Sequence, residues 1–515
     1  MEPLFSMATG WLLIALYAAV VVALTVGVTR VARTKASFLV ADRKVGWRPA
    51  ALSIAATWIW APALFVAAEK AYLEGWVGVF WFTVPNIATL VIFAWFADRV
   101  RRRMPDGFTF AGYVRDRLSR RSHAAYLVAF VTLATFSFSV QLLAGGLIVS
   151  TLTGIPFAQV SVALAAIAVA YSLFSGLKAS IVTDYLQMAL IATVGLIAAP
   201  WIVLQAGGLS TIQAGLGGAS GEYTSLFSGP GGAVFFSFGL ATTIGLLSGP
   251  FGDQTFWQRS FAVRKGQVRK AFYAGAVLFG IVPVTMSMLG FAAAGSGLDV
   301  AATVGTTQLT NLAAVLAWLP LWTVVPFTFF LLSGLVSTLD SNLAAISSLA
   351  GHDLVNRRRE NQVVRETLAI LDGETVPAGA AAGKGDELPV SVARWSMVAL
   401  AVVATAIANV PGITIVALFV FYGILRASTL MPTVLLLSWR RHVAEPGVFW
   451  GIVSALAVGL PVFAYGNFTG QPPFIVAGSL LVIALSGGIT WVVSARSETP
   501  RMEDWEFYGE TADVS

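Results

Sequence analysis

One apolar run, LLSGLVSTLDSNLAAISS from Leu331 to Ser348, carries the polar side chains of Ser333, Ser337, Thr338, Asp340, Ser341 and Asn342. A carboxylate at membrane depth costs several kcal/mol unless it is paired or solvated, so Asp340 marks a candidate functional site. On a helix, Gly334, Ser337, Asp340 and Ser341 fall at i, i+3, i+6 and i+7, on one face. The glycine lets a neighbouring backbone approach and the hydroxyls supply hard oxygens. That combination suits a small cation. The competing reading is packing, because Ser, Thr and Gly also line contacts between membrane helices; it explains the hydroxyls better than it explains Asp340.

Other polar or helix-breaking residues fall in comparable places. In ALSIAATWIWAPALFVAAEKAY, Pro62 removes a backbone hydrogen bond and predicts a kink or break, freeing carbonyls near Ala56 and Ile59 as ion ligands. A plain proline kink is the alternative. In GLLSGPFGDQTFWQR, Gly245, Gly249, Pro250 and Gly252 make a continuous helix untenable. These two interrupted helices lie five segments apart, the pattern of an inverted-repeat transporter with a midplane site. Asp184 lies six residues beyond Lys178, roughly 9 Å along a helix at about 1.5 Å per residue. There it needs a partner, unless it snorkels to the interface or pairs with Lys178. With Asp340 it makes a candidate second site for a cation or proton, and an Asp340–Arg426 ion pair is the rival. Thr57, Trp58, Trp60, Trp81, Phe82, Gln141, Ser248 and Tyr422 are candidate solute-lining residues, although aromatics in such segments more often face lipid or other helices.

The elements that must hold these residues are membrane helices. The chain has 515 residues, 57% hydrophobic and 11% charged, with a mean hydropathy of +0.79. Soluble domains carry about 25% charged residues. Thirteen apolar segments, from 8–29 to 473–495 and including a single run over 312–352, are each long enough for a core of about 30 Å. The first follows acidic Glu2 without a basic leader, which predicts a retained helix. With the N-terminus outside and the C-terminus cytoplasmic, 30 of the 32 Lys and Arg residues fall on the inner side, the exceptions being Lys70 and Arg426. The same count supports an odd number of spans and assigns the basic excess, net +6, to topology and not to nucleic acid.

Two loops differ from the rest in composition. The outer loop 206–231 is Gly/Ser-rich with Glu222 as its one charge, and the inner loop 354–390 has a flexible-linker composition. The acidic tail 497–515 is too short for a signalling domain. Without cysteine, disulfides, thiolate metal sites and cysteine nucleophiles are excluded. The three histidines, His123, His352 and His442, stand in or beside basic loops, leaving no zinc cluster. There is no phosphate-binding P-loop, which disfavours an ATP-driven pump.

The stretches FLVADRKVGW, YSLFSGLKASIVTDYLQ, GDQTFWQRSF and LVSTLDSNLAAISS, in this order and spacing, resemble the sodium:solute symporter family from about Ser37 to Trp439. The resemblance implies an all-α polytopic protein with a LeuT-type core of two five-helix inverted repeats. The expected parts are an extra helix and inner loop over 1–36, a ten-helix core over 37–439 (repeats about 47–205 and 232–438), two further helices over 440–495 and a tail over 496–515. It also implies coupling to sodium, with a first site formed by backbone oxygens of Ala56, Ile59 and Gly334 and the hydroxyls of Ser337 and Thr338. A second site, found in some members, matches Asp184, Ser337, Asp340 and Ser341, with Asp340 in place of a hydroxyl residue. ATWIWAPALF and GDQTFWQRSF most resemble the urea/polyamine-type branch.

The expectation is therefore a plasma-membrane symporter importing urea or a similar small polar nutrient by alternating access. Its coupling ion is sodium, with a proton as the alternative, and no covalent cofactor is needed. Its partners are solute, ion and bilayer, with a monomer sufficient for transport. A passive channel or facilitator is disfavoured by the Ser337/Thr338 pair, and a transporter-like sensor by the lack of a signalling domain. An enzyme ranks last, for want of a nucleophile–base or metal constellation.

Overall fold

The computed structural model describes residues 2–28, 35–354, 390–439 and 442–497. The inner loop expected over 354–390 and the tail from 497 fall almost wholly outside these. Among the described residues every regular element is helical, and the one β-contact is an isolated bridge between Val45 and Val263. Hydrocarbon cannot hydrogen-bond to a backbone, so a spanning chain must satisfy its own N–H and C=O groups, as a helix does. Nine helices among the described residues are long and apolar enough to cross a membrane. Shorter apolar helices cover Met7–Ala23, Phe157–Leu173 and Val392–Ala408. This is a multi-pass membrane protein.

The interruptions carry most of the architecture. The helix Trp47–Trp58 stops, Ile59 and Trp60 leave helical dihedrals, and a four-residue helix, Ala61–Leu64, resumes with Pro62 in its first turn. Proline is tolerated there because a first-turn N–H has no intrahelical partner to lose. Val66–Arg103 follows, and turns at Gly75, the one residue inside it with non-helical dihedrals. The segment containing Leu240–Leu247 ends before Gly249 and Pro250, and Gln254–Ala262 begins a new short helix capped by Asp253.

One sequence expectation needs correction. The single run expected over 312–352 is two helices, Thr310–Trp318 and a longer stretch from Leu321 through Leu354, parted at Leu319. Leu319 is extended because it precedes Pro320, which disfavours helical dihedrals one residue upstream.

At the centre, Val324–Ser348 is buried from Phe330 to Ser348 and packs on Phe157–Gln205 and Arg120–Thr153. Val268–Gly295 lies along Val66–Arg103 and Trp47–Trp58. A Cβ on Gly290 would stand 2.2 Å from the Ala68 carbonyl, so the glycine permits that approach. The loop 206–231 is bonded down: Trp76 N–H donates to Leu216 O at 2.8 Å and Ala219 N–H to Tyr72 O at 2.7 Å. Gly75 has φ +56°, and a Cβ there would lie 2.2 Å from Leu216 O. At the other end of the molecule, Val45 N–H donates to Ala262 O at 3.1 Å and Arg264 N–H to Val45 O at 3.0 Å.

Candidate functional site

The break at Ile59 faces the polar stretch that defines the site. A Cβ on Gly334 would lie 3.2 Å from Ile59 O and 2.7 Å from Leu64 Cδ1, so only a glycine lets the two backbones meet here. Thr338 Oγ1 lies 3.3 Å from both Thr57 O and Gly334 O. Ala56 O accepts from Ile59 N–H at 3.2 Å, which leaves a second lone pair. Gln141, expected to line the solute path, serves the break instead: its Oε1 accepts the Ala61 N–H at 2.7 Å. The structure thus gathers Ile59, Gly334 and Thr338, whereas the Ser337 hydroxyl turns the other way and donates to Asp184 Oδ1 at 2.6 Å.

Asp184 and Asp340 do share one polar cluster. Ser53 Oγ donates to Asp184 Oδ2 at 2.5 Å; Ser180 Oγ donates to Asp340 Oδ1 at 2.8 Å and Thr183 Oγ1 to Oδ2 at 3.1 Å. Ser341 Oγ lies 3.3 Å from Asp340 Oδ1 and 3.2 Å from Thr57 Oγ1, which places Thr57 with this cluster. Arg259 enters from Gln254–Ala262. Its Nη2 lies 3.4 Å from Asp184 Oδ2 and donates to Ser341 Oγ at 2.8 Å, and its Nε donates to Ser53 Oγ at 3.0 Å. None of these side chains is more than 4% exposed. The positive charge beside the two acids is therefore Arg259, and the Asp340–Arg426 pair weighed from sequence does not form.

Arg426 belongs to an aromatic compartment. Trp58 and Trp60 stack at 4.7 Å between ring centroids. Tyr422 meets Trp60 edge-on at 5.5 Å, and Phe419 contacts both Trp60 and Phe82. Ser248 Oγ is spent on Ile244 O at 2.6 Å, while the neighbouring Gly249 makes room for the Trp58 ring. Trp81 lies elsewhere, against Phe80 and Phe235. Trp58, Trp60, Phe82 and Tyr422 are thus brought together and Trp81 is not.

Sequence reasoning missed Arg259, Ser53, Ser180 and Thr183. Ser180 and Thr183 had a readable signal, since they share a helix face with Asp184 at i, i+3 and i+4. His123 is also more buried than its basic surroundings suggest, and its Nε2 lies 2.9 Å from Asp353 Oδ1. No group of three or more His, Asp or Glu residues that could hold a metal occurs among the described residues.

A helical membrane bundle built on a broken helix, with buried polar groups meeting at the break, is the architecture of a secondary carrier. The fold is shared with a solved Na+-coupled sialic acid symporter, at a TM-score of 0.72 and 16% identity, covering 94% of this chain and 97% of that one. The sodium:solute symporter family profile matches residues 38–373, and the chain belongs to that family. It is a transporter and not an enzyme. The urea-proton symporter DUR3 of rice (Oryza sativa subsp. japonica) is 23% identical over 512 residues, covering 91% of this chain and 67% of the rice protein. Probable urea active transporter 1 of Schizosaccharomyces pombe (strain 972 / ATCC 24843) is 26% identical over 268 residues, covering 49% of this chain and 39% of the yeast protein. The chain thus matches about two fifths of the length of that yeast relative.

Proposed function

We propose that this chain is a cation-coupled symporter that imports urea or a similarly small polar nutrient across the plasma membrane by alternating access. One observation carries the reading: where the broken helix meets Val324–Ser348, Thr338 Oγ1 lies 3.3 Å from both Thr57 O and Gly334 O, and Ile59 O comes up against Gly334. Ala56 O, on the same broken helix, keeps a lone pair to spare, Ser337 Oγ is engaged at Asp184, and sodium is the ion these oxygens suit. The rest of the arrangement is proposed with it: thirteen spans, a LeuT-type pair of inverted repeats, an outer N-terminus and a monomeric working unit.

Arg259 refines the coupling. Two ionised carboxylates without a cation between them would repel until one took up a proton or an ion. A fixed guanidinium supplies that charge at Asp184, so no second sodium is required beside it. Among the described residues Asp340 has only hydroxyl donors as its direct partners, which supports a second reading in which a proton on Asp340 is the coupling ion. The rice relative's description as a urea-proton symporter agrees with that alternative.

Uptake of labelled urea into proteoliposomes, driven by a sodium gradient or by a pH gradient, separates the two. Under the sodium reading Thr338→Ala lowers apparent sodium affinity about tenfold, since a ligand to a charged partner is worth about one decade. Thr338 is the cleaner probe, because Ser337→Ala would also remove a donor from Asp184. Uptake that follows the pH gradient and ignores sodium would overturn the sodium reading.

A further inference from the structure

Arg426 lies in the last turn of the helix Ile415–Ala427 and is 1% exposed. Its Nε donates to Gly245 O at 2.8 Å, beside a point where Gly245 and Gly423 bring two backbones together. Neither Nη1 nor Nη2 has a hydrogen-bond partner among the described residues. Asp253, the acid whose charge acts on Arg426, spends Oδ1 on Thr255, accepting from N at 2.8 Å and from Oγ1 at 2.6 Å. The guanidinium carbon lies 5.4 Å from the Trp58 ring centroid, 5.1 Å from that of Trp60 and 5.3 Å from that of Tyr422. Cation–π attraction stabilises the charge there. It leaves the four Nη hydrogens without an acceptor.

The same compartment holds further unspent polar atoms. Trp60 Nε1 and Tyr422 OH are buried without partners, as is Oδ1 of Asn86, whose carbonyl accepts from Trp58 Nε1 at 3.3 Å. Guanidinium and indole groups only donate, and a tyrosine hydroxyl can donate or accept. Native interiors seldom leave such donors unpaired, and charged ones least of all. A solute that satisfies this set must therefore bring acceptor oxygens. The rings lie within contact distance of one another, so the solute is small, and flat enough to lie against a ring face.

We infer that the compartment bounded by Trp58, Trp60, Phe82, Phe419 and Tyr422 is where the solute is read, and that Arg426 Nη1 and Nη2 bind its planar carbonyl-type oxygen. The inference rests on the reading of the chain as a solute carrier and narrows its substrate class. A urea-type amide and a short carboxylate share this oxygen chemistry. Carboxylate adds charge pairing and a bidentate fit to guanidinium, while Asn86 Oδ1 offers an acceptor to amide hydrogens. Polyamines are excluded, because a fixed buried cation repels a second one in a medium of low dielectric.

The test uses the full chain in proteoliposomes, with labelled urea, acetate and putrescine as solutes. Urea or acetate should be taken up, and putrescine should be neither carried nor inhibitory. Arg426→Lys keeps the charge but loses the fork, and should raise KM for the carried solute about 10- to 100-fold with cation dependence unchanged. Tyr422→Phe and Trp60→Phe keep a ring and delete one donor, and each should raise KM about threefold to tenfold. These two also decide the matter if Arg426→Lys fails to reach the membrane. Asn86→Leu identifies the solute class, raising KM for urea if amide hydrogens are bound and leaving acetate uptake unaltered. Putrescine uptake, or unaltered KM across the Arg426, Tyr422 and Trp60 variants, overturns the inference while leaving the carrier reading intact. No gradient-driven uptake of any solute overturns both.

Discussion

A guanidinium beside two carboxylates decides what either acid can do. Asp184 is held by Arg259, Ser53 and Ser337, so removing the arginine leaves a buried charge with hydroxyl partners alone. Breaking a buried pair from one side costs about 3–5 kcal/mol, most of it from the stranded partner. Arg259→Met should therefore lower the thermal stability of the purified protein sharply, and Asp184→Asn on that background should restore part of it. Equal melting temperatures for the single and double variants would show the two are uncoupled. Asp184, Asp340 and the hydroxyls of Ser337, Thr338 and Ser341 were legible in the sequence because polarity inside an apolar run has few explanations. Arg259 was not, because it stands with Arg264, Lys265, Arg269 and Lys270 in a basic cluster that membrane orientation already explains. Trp81 shows the opposite error: in a chain with 12% aromatic residues, ring type and depth do not say which rings meet.

Among the elements, the breaks matter more than the spans. Trp47–Trp58 and Ala61–Leu64 turn a carbonyl toward Gly334, and that approach fails if the glycine gains bulk. Gly334→Leu would push against Leu64 and Ile59, costing about 1–3 kcal/mol as overpacking. Its larger expected effect is a fall of more than about tenfold in apparent cation affinity, because ligand positions tolerate less displacement than packing does. Cation-titrated uptake measures the one and thermal unfolding the other; a loss of stability with affinity unchanged would remove Gly334 from the site. The breaks at Pro62 and Gly249–Pro250 were readable from residues that cannot continue a helix. The break at Leu319 obeys the same proline rule, yet lies in a run whose hydropathy does not change across it.

For the whole molecule, the bilayer does much of the specifying. A spanning chain has few structures open to it, so an all-helical fold followed from hydropathy alone. Which helices touch did not follow, because contacts such as that at Gly290 depend on single small residues scattered among many. Orientation is the testable remainder. A reporter fused at Gly217 should be accessible from outside and one at Gly379, in the loop beyond the described residues, from inside. Finding both on one side would refute the thirteen-span arrangement and, with it, the proposed pairing of the two interrupted helices.

The seam between the loop 206–231 and Tyr72–Trp76 has a consequence for turnover. Its backbone bonds meet at Gly75 and Gly218, both with positive φ, where there is no side chain to slide or re-dock. In the proposed alternating-access cycle, opening along this seam would break the Leu216 and Ala219 bonds together and expose the same atoms whatever solute waits behind them. That step would cost the same for every passenger. Where it limits the cycle, a tightly held solute and a loosely held one would separate in KM and yet share one maximal rate.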